Sequence, residues 1–231
     1  LDETYTRLVV EGNLTTDTMA HLFVLTETTS YFYNQPAPPV ENASVSITDN
    51  LGNKVVLEEK EPGKYYTPAN FYGQVDRSYE LQIDLQEEIN GNLRYVAQSS
   101  IPPIAPIDSI GMEFNERFGK DGFWIVKLYA TDPAGVENYY QFGVAFFNNS
   151  IAGQRFRVGD TVMLEMGGIT KEHYVFMNNV IQSTSFQNPL FGGPPANVIG
   201  NISEGAFGYF STFSTTYSEL ILTEDNIIIT Q

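Results

Sequence analysis

The sequence predicts an all-β protein made of two β-sandwich-like domains, the second of which carries one α-helix. Short segments of alternating apolar and polar residues recur along the chain, and turn-forming residues separate them at intervals of roughly 8–12 residues, as in β-sandwiches. Of the 231 residues, 42% are hydrophobic and 13% are aromatic. Aromatic and β-branched residues favour strands, and this hydrophobic content is enough for a packed core.

The first domain is predicted at residues 1–105, as an immunoglobulin-like or transthyretin-like β-sandwich. Within "SYELQIDLQ" (78–86), a period of two places the apolar side chains on one face, as in a half-buried strand. "DNLGN" (49–53) supplies the Asp, Asn and Gly of a hairpin turn. The prolines of "PAPPV" (36–40) lack an amide donor, which predicts an edge or a loop. The predicted strands, some with an adjoining turn, lie at 5–12, 21–29, 43–48, 54–59, 62–67, 78–86 and 93–101.

A proline-rich segment marks the predicted domain boundary. Residues 101–109 ("IPPIAPIDS") contain three prolines and have the composition of a stiff, extended spacer. The second, β-rich domain is therefore predicted at residues 106–231. Its strands are predicted at 109–114, 123–132, 138–147, 161–168, 205–223 and 226–230.

One helix interrupts the strands of the second domain, near residues 171–184. Apolar residues at positions 174, 177, 180 and 181 follow helical spacing. Thr170 is the predicted N-cap, and Glu172 in the first turn suits the helix dipole.

Charge and composition exclude several classes of protein. Twelve Lys and Arg face 28 Asp and Glu, and the net charge of −16 disfavours nucleic acid, which needs a basic surface. The chain has no Cys, which excludes disulfides and thiolate metal sites. The sequence contains no run of about 18 apolar residues, so it predicts no membrane-spanning helix. The chain begins almost at its first strand, so we expect a mature or shortened form without its leader.

The sequence predicts no catalytic residues, no cofactor and no metal site. His21 and His173 fall in different predicted domains, and we expect each to be a surface or cap-region imidazole. The sequence does not exclude a Ser-His-Asp triad, because such triads are recognised by their geometry and not by sequence position. No G-x-S-x-G nucleophile elbow supports one, however. Asp49, Asn50 and Asn53 offer oxygen ligands for calcium, without the spacing of an EF-hand. Most of the other carboxylates are expected to be solvated.

The predicted ligand or partner contacts are two aromatic or loop segments. "YFYNQPAPP" places aromatic side chains beside prolines, and such side chains either cover the sandwich faces or form an exposed platform for sugar or protein binding. The stretch "FGGPPANVIGNISEGAFGYFSTFS" (191–214) is interpreted first as scaffold and second as a ligand or partner loop. The candidate contact residues are Tyr31, Phe32, Tyr33, Phe191 and Asn197.

Four strings together resemble one protein family. "TRLVVEGNLTTD" (6–17), "TDPAGVENYYQF" (131–142), "KEHYVFMNNV" (171–180) and "NPLFGGPPANVIGNISEGAFGYFSTFS" (188–214) stand in the order found in Bacteroidota cell-envelope lipoproteins of domain of unknown function 4249. Residues 38–53 ("PPVENASVSITDNLGN") also look like the immunoglobulin-like or transthyretin-like modules of such envelope systems.

The resemblance implies a location and a role. It implies a non-enzymatic lipoprotein at the outer membrane or cell surface, held by an N-terminal lipid anchor that this sequence does not contain. Family members often accompany TonB-dependent receptors, so the expected role is accessory binding for such a transporter, with a glycan or peptide as a further candidate ligand. The alternative is an adhesin-like module that binds host or matrix glycans or proteins. A hydrolase with a carboxylate pair is the third hypothesis.

Overall fold

The structure, a computed structural model, describes residues 6–29, 36–115, 123–147, 158–184, 198–225 and 227–230. It confirms an all-β fold with a single helix in the described part of the chain. The helix is α1 (Lys171–Thr184). The strands are β1 (Leu8–Thr15), β2 (Leu22–Glu27), β3 (Ser44–Asp49), β4 (Lys54–Val56), β5 (Glu58–Glu61), β6 (Lys64–Tyr66), β7 (Ser78–Ile89), β8 (Asn92–Ser100), β9 (Ser109–Asn115), β10 (Phe123–Tyr129), β11 (Tyr139–Phe147), β12 (Thr161–Ile169), β13 (Phe207–Ile221) and β14 (Ile227–Thr230).

The chain divides into two compact units that do not follow its linear order. Unit 1 contains Leu1–Pro103 and Ile169–Ser214, and unit 2 contains Ile104–Gly168 and Thr215–Gln231. The helix α1 therefore belongs to the same unit as the first strands. That residues 1–105 and 106–231 fold as separate domains stays a prediction.

Unit 1 is built from two facing sheets. One contains the first half of β13, followed by β1, β2, β6 and β5, and the other has the order β4-β3-β7-β8. Apolar side chains from both sheets form one continuous core, including Leu8 and Phe23 from the first sheet and Val45 and Leu81 from the second. This arrangement confirms the sandwich-like packing that the alternating pattern predicted.

Strand β1 lies inside the first sheet of unit 1, between β13 and β2. It pairs antiparallel with β2, and it pairs parallel with β13 in a register that joins Val9 to Phe207 and Thr15 to Phe213. A parallel pair cannot be closed by a short turn, and here most of the chain lies between the two strands.

The predicted turn at residues 49–53 and the alternation of β7 are confirmed. Tyr79, Leu81 and Ile83 are all buried in the core. The turn between β3 and β4 contains Gly52 with a φ of 84°, and Asn90 and Gly91 join β7 to β8 with φ values of 52° and 76°. Two successive positive φ values are typical of the tightest hairpin connections.

The helix α1 begins at the predicted cap. The amide of His173 donates a hydrogen bond to the Thr170 hydroxyl at 3.2 Å, which satisfies one of the free donors of the first turn. The face of the helix that is buried is not the one that carries the apolar residues at helical spacing. His173 is buried, whereas Met177 and Ile181 are 40% and 57% exposed.

The glycines of β13 are required by a close backbone approach. Gly208 has a φ of 90°, and a Cβ at this position would overlap the carbonyl oxygen of Val10 in the neighbouring strand β1. A Cβ at Gly200 would overlap the carbonyl oxygen of Gly208. Both glycines therefore stand where two stretches of backbone approach too closely for a side chain.

Unit 2 has a smaller core among its described residues. Strands β10, β9 and β14 are neighbours in that order, and β11, β12 and the end of β13 form a second set. Met112, Val162 and Leu222 are buried together. Backbone hydrogen bonds of Gly159 and Asp160 with Leu222 join the start of β12 to the end of β13.

Candidate functional site

A groove of about 770 Å³ lies between the helix α1 and the outer face of the first sheet of unit 1. We call it the α1 groove. Its larger apolar side chains are Met19, Leu22, Val24, Phe176, Met177, Val180 and Phe213. Its polar and charged side chains are Glu11, Asn13, Thr15, His21, His173, Tyr209 and Ser211.

Strand register explains which side chains reach this groove. Glu11 pairs with Val24 on one side and with Tyr209 on the other, so all three share the outer face of the sheet. Residues one position away point into the sandwich core, where Phe23 and Phe210 pack against each other with ring centroids 5.9 Å apart. One sheet therefore supplies the core on one face and the groove on the other.

His173 is buried at one wall of the α1 groove. Its Nδ1 lies 2.8 Å from the hydroxyl oxygen of Ser211, and its ring stacks on Tyr209 at a centroid distance of 5.0 Å. The ring of Phe176 also packs against Tyr209, with the two ring centroids 4.6 Å apart. Burial lowers the pKa of His173 to about 4, so the imidazole is neutral at physiological pH.

His21 is buried at another wall of the same groove. Its Nε2 lies 3.2 Å from the Thr15 hydroxyl, and its backbone amide donates to the Thr67 hydroxyl at 2.8 Å. Burial lowers the pKa of His21, and this effect outweighs the opposite influences of Asp17 and of a hydrogen bond with the Met19 backbone. Burial thus favours the neutral form of both histidines.

The two histidines correct the sequence analysis. We expected surface or cap-region imidazoles in different domains, but His21 and His173 are only 2% and 6% exposed and both line the α1 groove of unit 1. The sequence pattern missed this because the parallel pairing of β1 with β13 brings residues 169–214 back to the first strands. The sequence offered one signal of this site: the alternation of β13, which places Tyr209 and Ser211 on the same face of the strand.

The rim of the α1 groove is open and mainly apolar. Met19, Leu22 and Met177 are 49%, 39% and 40% exposed. Glu11 is exposed, and its carboxylate forms no hydrogen bond or ion pair with the residues that the structure describes. The lining that the structure describes contains no Lys or Arg.

The Ser211–His173 pair resembles part of a catalytic triad, but its histidine is weakly basic. A general base works best with a pKa near the working pH, and the pKa of about 4 makes His173 a weak base beside Ser211. Within the described part of the chain, no hydrogen bond joins His173 to a carboxylate, so the pair lacks the third member of a triad. The described residues also hold no cluster of three or more metal-ligating side chains.

The predicted calcium alternative at residues 49–53 is occupied by protein contacts. The Asp49 carboxylate accepts hydrogen bonds from the amides of Leu51 and Asn53 at 2.9 Å each, and it pairs with Arg77 at 2.5 Å. Burial raises the pKa of Asp49, but these hydrogen bonds outweigh it and hold the pKa below its usual value. The carboxylate organises the turn.

The contact residues predicted from sequence lie outside the described residues. These are Tyr31, Phe32, Tyr33, Phe191 and Asn197. They stay predictions. The structure adds the α1 groove, which sequence reasoning did not find.

Comparison with known families identifies the chain. The model of the family described as Domain of unknown function (DUF4249) matches residues 1–219. The chain belongs to this family. The match covers every strand and the helix that line the α1 groove, so the groove of this DUF4249 chain lies within the family domain. No curated protein and no solved structure matches the chain.

Family membership confirms the main resemblance found in the sequence. The immunoglobulin-like module and the Bacteroidota source stay predictions. Among the helical residues that the structure describes, none belongs to a segment long and apolar enough to cross a bilayer.

Proposed function

We propose that this protein is a non-enzymatic lipoprotein of the outer membrane that binds a ligand and serves a TonB-dependent transporter. The observation that carries the binding role is the α1 groove, whose volume of about 770 Å³ falls in the range of small-molecule sites. The membrane location, the lipid anchor and the transporter come from the family resemblance.

The shape and lining of the α1 groove support a binding role. Apolar side chains form its rim, and a few polar groups stand at its base, which is the usual composition of a ligand site. Ser211 and Thr15 are engaged with the two buried histidines. These internal hydrogen bonds fix the floor of the groove, so a ligand would meet a preformed surface.

The absence of an enzymatic role is part of the proposal. The most reactive pair in the groove, Ser211 with His173, has a base with a pKa of about 4. A histidine this acidic provides little driving force for proton removal at neutral pH. The purified protein should therefore bind ligands without consuming them.

The first experiment is co-purification from the native membrane. The full-length protein would be isolated in mild detergent, and its companions identified by mass spectrometry. A stoichiometric TonB-dependent receptor supports the proposal. Recovery of the protein alone, at native expression and across several detergents, overturns the transporter role.

A matched pair of helix variants connects this role to the groove. Met177→Arg places a charge in the α1 groove, whereas Val175→Arg places one on the same helix outside its lining; the two side chains are 40% and 47% exposed. We expect uptake in the native host to fall with Met177→Arg only. Equal uptake by both variants would show that the α1 groove has no role in transport.

A second candidate function is the adhesin-like role, and strand β11 favours it. Phe142 is 55% exposed and Val144 is 44% exposed on the same face of this strand, and the rings of Tyr140 and Phe142 are 6.5 Å apart. Exposed aromatic groups of this kind bind sugars or proteins. Glycan arrays and matrix proteins would test it, with Phe142→Ser expected to lose any binding that the parent shows.

A further inference from the structure

Among the described residues, the lining of the α1 groove carries negative charge only. Among the described residues that line it, Glu11 is the one Asp, Glu, Lys or Arg, and its carboxylate has no protein partner in that part of the chain. The two histidines are held neutral by burial. The groove therefore presents one unpaired negative charge, in a chain whose net charge is −16.

A neutral polar group stands next to this carboxylate. Asn13 lies two positions after Glu11 on β1, so both side chains point to the groove face. Side chains at this spacing on a strand lie about 7 Å apart. The Glu11 carboxylate and the Asn13 amide oxygen are both hydrogen-bond acceptors, so this face of β1 offers acceptors to a cationic head group.

The remaining walls suit an apolar body. Leu22 and Val24 line the sheet side and Val180 lines the helix side. Met19 and Met177 stand at the opening. Methionine side chains adapt to ligands of different shape because they are unbranched and polarisable.

We propose that the α1 groove binds an amphipathic organic cation, with an ammonium or guanidinium head at Glu11 and Asn13 and an apolar body between the sheet and the helix. This inference deepens the proposed binding function and rests on it. An anionic amphiphile of the same length is disfavoured because its head would approach Glu11, and the described lining holds no cation to offset the repulsion.

The test compares three probes with the same ten-carbon chain: decylamine, decanol and decanoate. Binding to the purified protein would be measured by calorimetry at pH 7, below the critical micelle concentrations of the two ionic probes and below the solubility limit of decanol. We expect saturable binding of decylamine at one site per chain. Decanol should bind more weakly, by about tenfold, because it lacks the charge-assisted hydrogen bond, and decanoate should bind most weakly.

Two variants locate the head group and a third locates the body. Glu11→Gln should weaken decylamine binding about tenfold and leave decanol unchanged. Glu58→Gln is the matched control, because Glu58 is an exposed strand glutamate of unit 1 outside the groove, and it should bind decylamine as the parent does. Met177→Arg should lose both decylamine and decanol while keeping the parent's circular dichroism and melting temperature.

Several results would overturn the inference. Decanoate binding as tightly as decylamine, or decylamine binding that Glu11→Gln leaves intact, rules out the proposed head-group site. Failure of all three probes rules out the groove as an amphiphile site. If the receptor nevertheless co-purifies, the accessory role stands and the ligand class alone is wrong. If decylamine binds but no receptor co-purifies, the ligand class stands and the accessory role is wrong.

Discussion

The hydroxyl of Ser211 lies 2.8 Å from Nδ1 of His173, and both side chains are buried. This contact joins strand β13 to the first turn of the helix α1, in the wall of the α1 groove. A buried imidazole needs a partner for each ring nitrogen that water does not reach. The pair therefore fixes the helix on the sheet as well as the orientation of the histidine.

Replacing Ser211 by Ala should destabilise the protein by about 1–3 kcal/mol, because a buried imidazole nitrogen loses its hydrogen-bond partner. Urea unfolding followed by fluorescence would measure the change. Ser44→Ala, at an exposed serine of strand β3, is the control and should stay within about 0.5 kcal/mol of the parent. Equal stability of the two variants would show that the contact contributes nothing.

The stability of the fold should depend on pH through His173. In the unfolded chain this histidine titrates near 6.5, whereas burial lowers its pKa to about 4 in the folded protein. As pH falls, the unfolded chain takes up the proton first. The contribution of the neutral histidine is therefore complete above pH 6.5 and is lost between pH 6.5 and about 4.

Unfolding experiments at pH 7, 5.5 and 4.5 would check this dependence against the variant His173→Gln. The difference in free energy of unfolding between parent and variant should shrink by up to ~3 kcal/mol over this range. His21 and the carboxylates are present in both proteins, so their effects cancel to first order. Parallel pH profiles would contradict the assignment.

Gly208→Ala should abolish folding or cost several kcal/mol. The residue has a φ of 90°, and the new methyl group would overlap the carbonyl oxygen of Val10. Gly52→Ala is the matched control, since its φ is 84° but nothing lies within 4 Å of the added carbon. That variant should lose only ~1–2 kcal/mol, the cost of the left-handed backbone itself. Soluble, stable Gly208→Ala protein would show that β1 and β13 do not approach so closely.

Thr170→Ala should reduce stability by about 1 kcal/mol, because the His173 amide loses its capping oxygen. Thr170→Ser retains the hydroxyl and should restore most of the loss. Thermal unfolding of the three proteins would measure both effects. A loss that Thr170→Ser does not restore would assign the role of Thr170 to its methyl group instead of the cap.

Local pattern was sufficient to predict most elements of the fold. Alternation placed Tyr79 and Leu81 in the core, and the cap at Thr170 fixed the start of α1. These features depend on neighbouring residues, whose spacing and turn chemistry are visible in any short window. The helix face was predicted less well, because His173 is buried while Ile181 is exposed.

The candidate site was not predictable from the same patterns. It depends on the pairing of Val9 with Phe207, and strand periodicity carries no information about which distant strand is the partner. His21 and His173 come together only after that pairing forms. Their separation in the sequence therefore led to the expectation of two unrelated surface or cap-region histidines. His173 does lie in the first turn of α1, but both side chains are buried.

The parallel pairing of β1 with β13 also bears on how the protein is made. During synthesis, β1 emerges well before its partner strand β13, which follows only after all the residues between them have left the ribosome. Contacts between such distant segments form slowly, since a large loop must close first. Until then one edge of β1 is unpaired and prone to aggregation. We expect the nascent chain to need a chaperone that holds it extended until residue 214 is available.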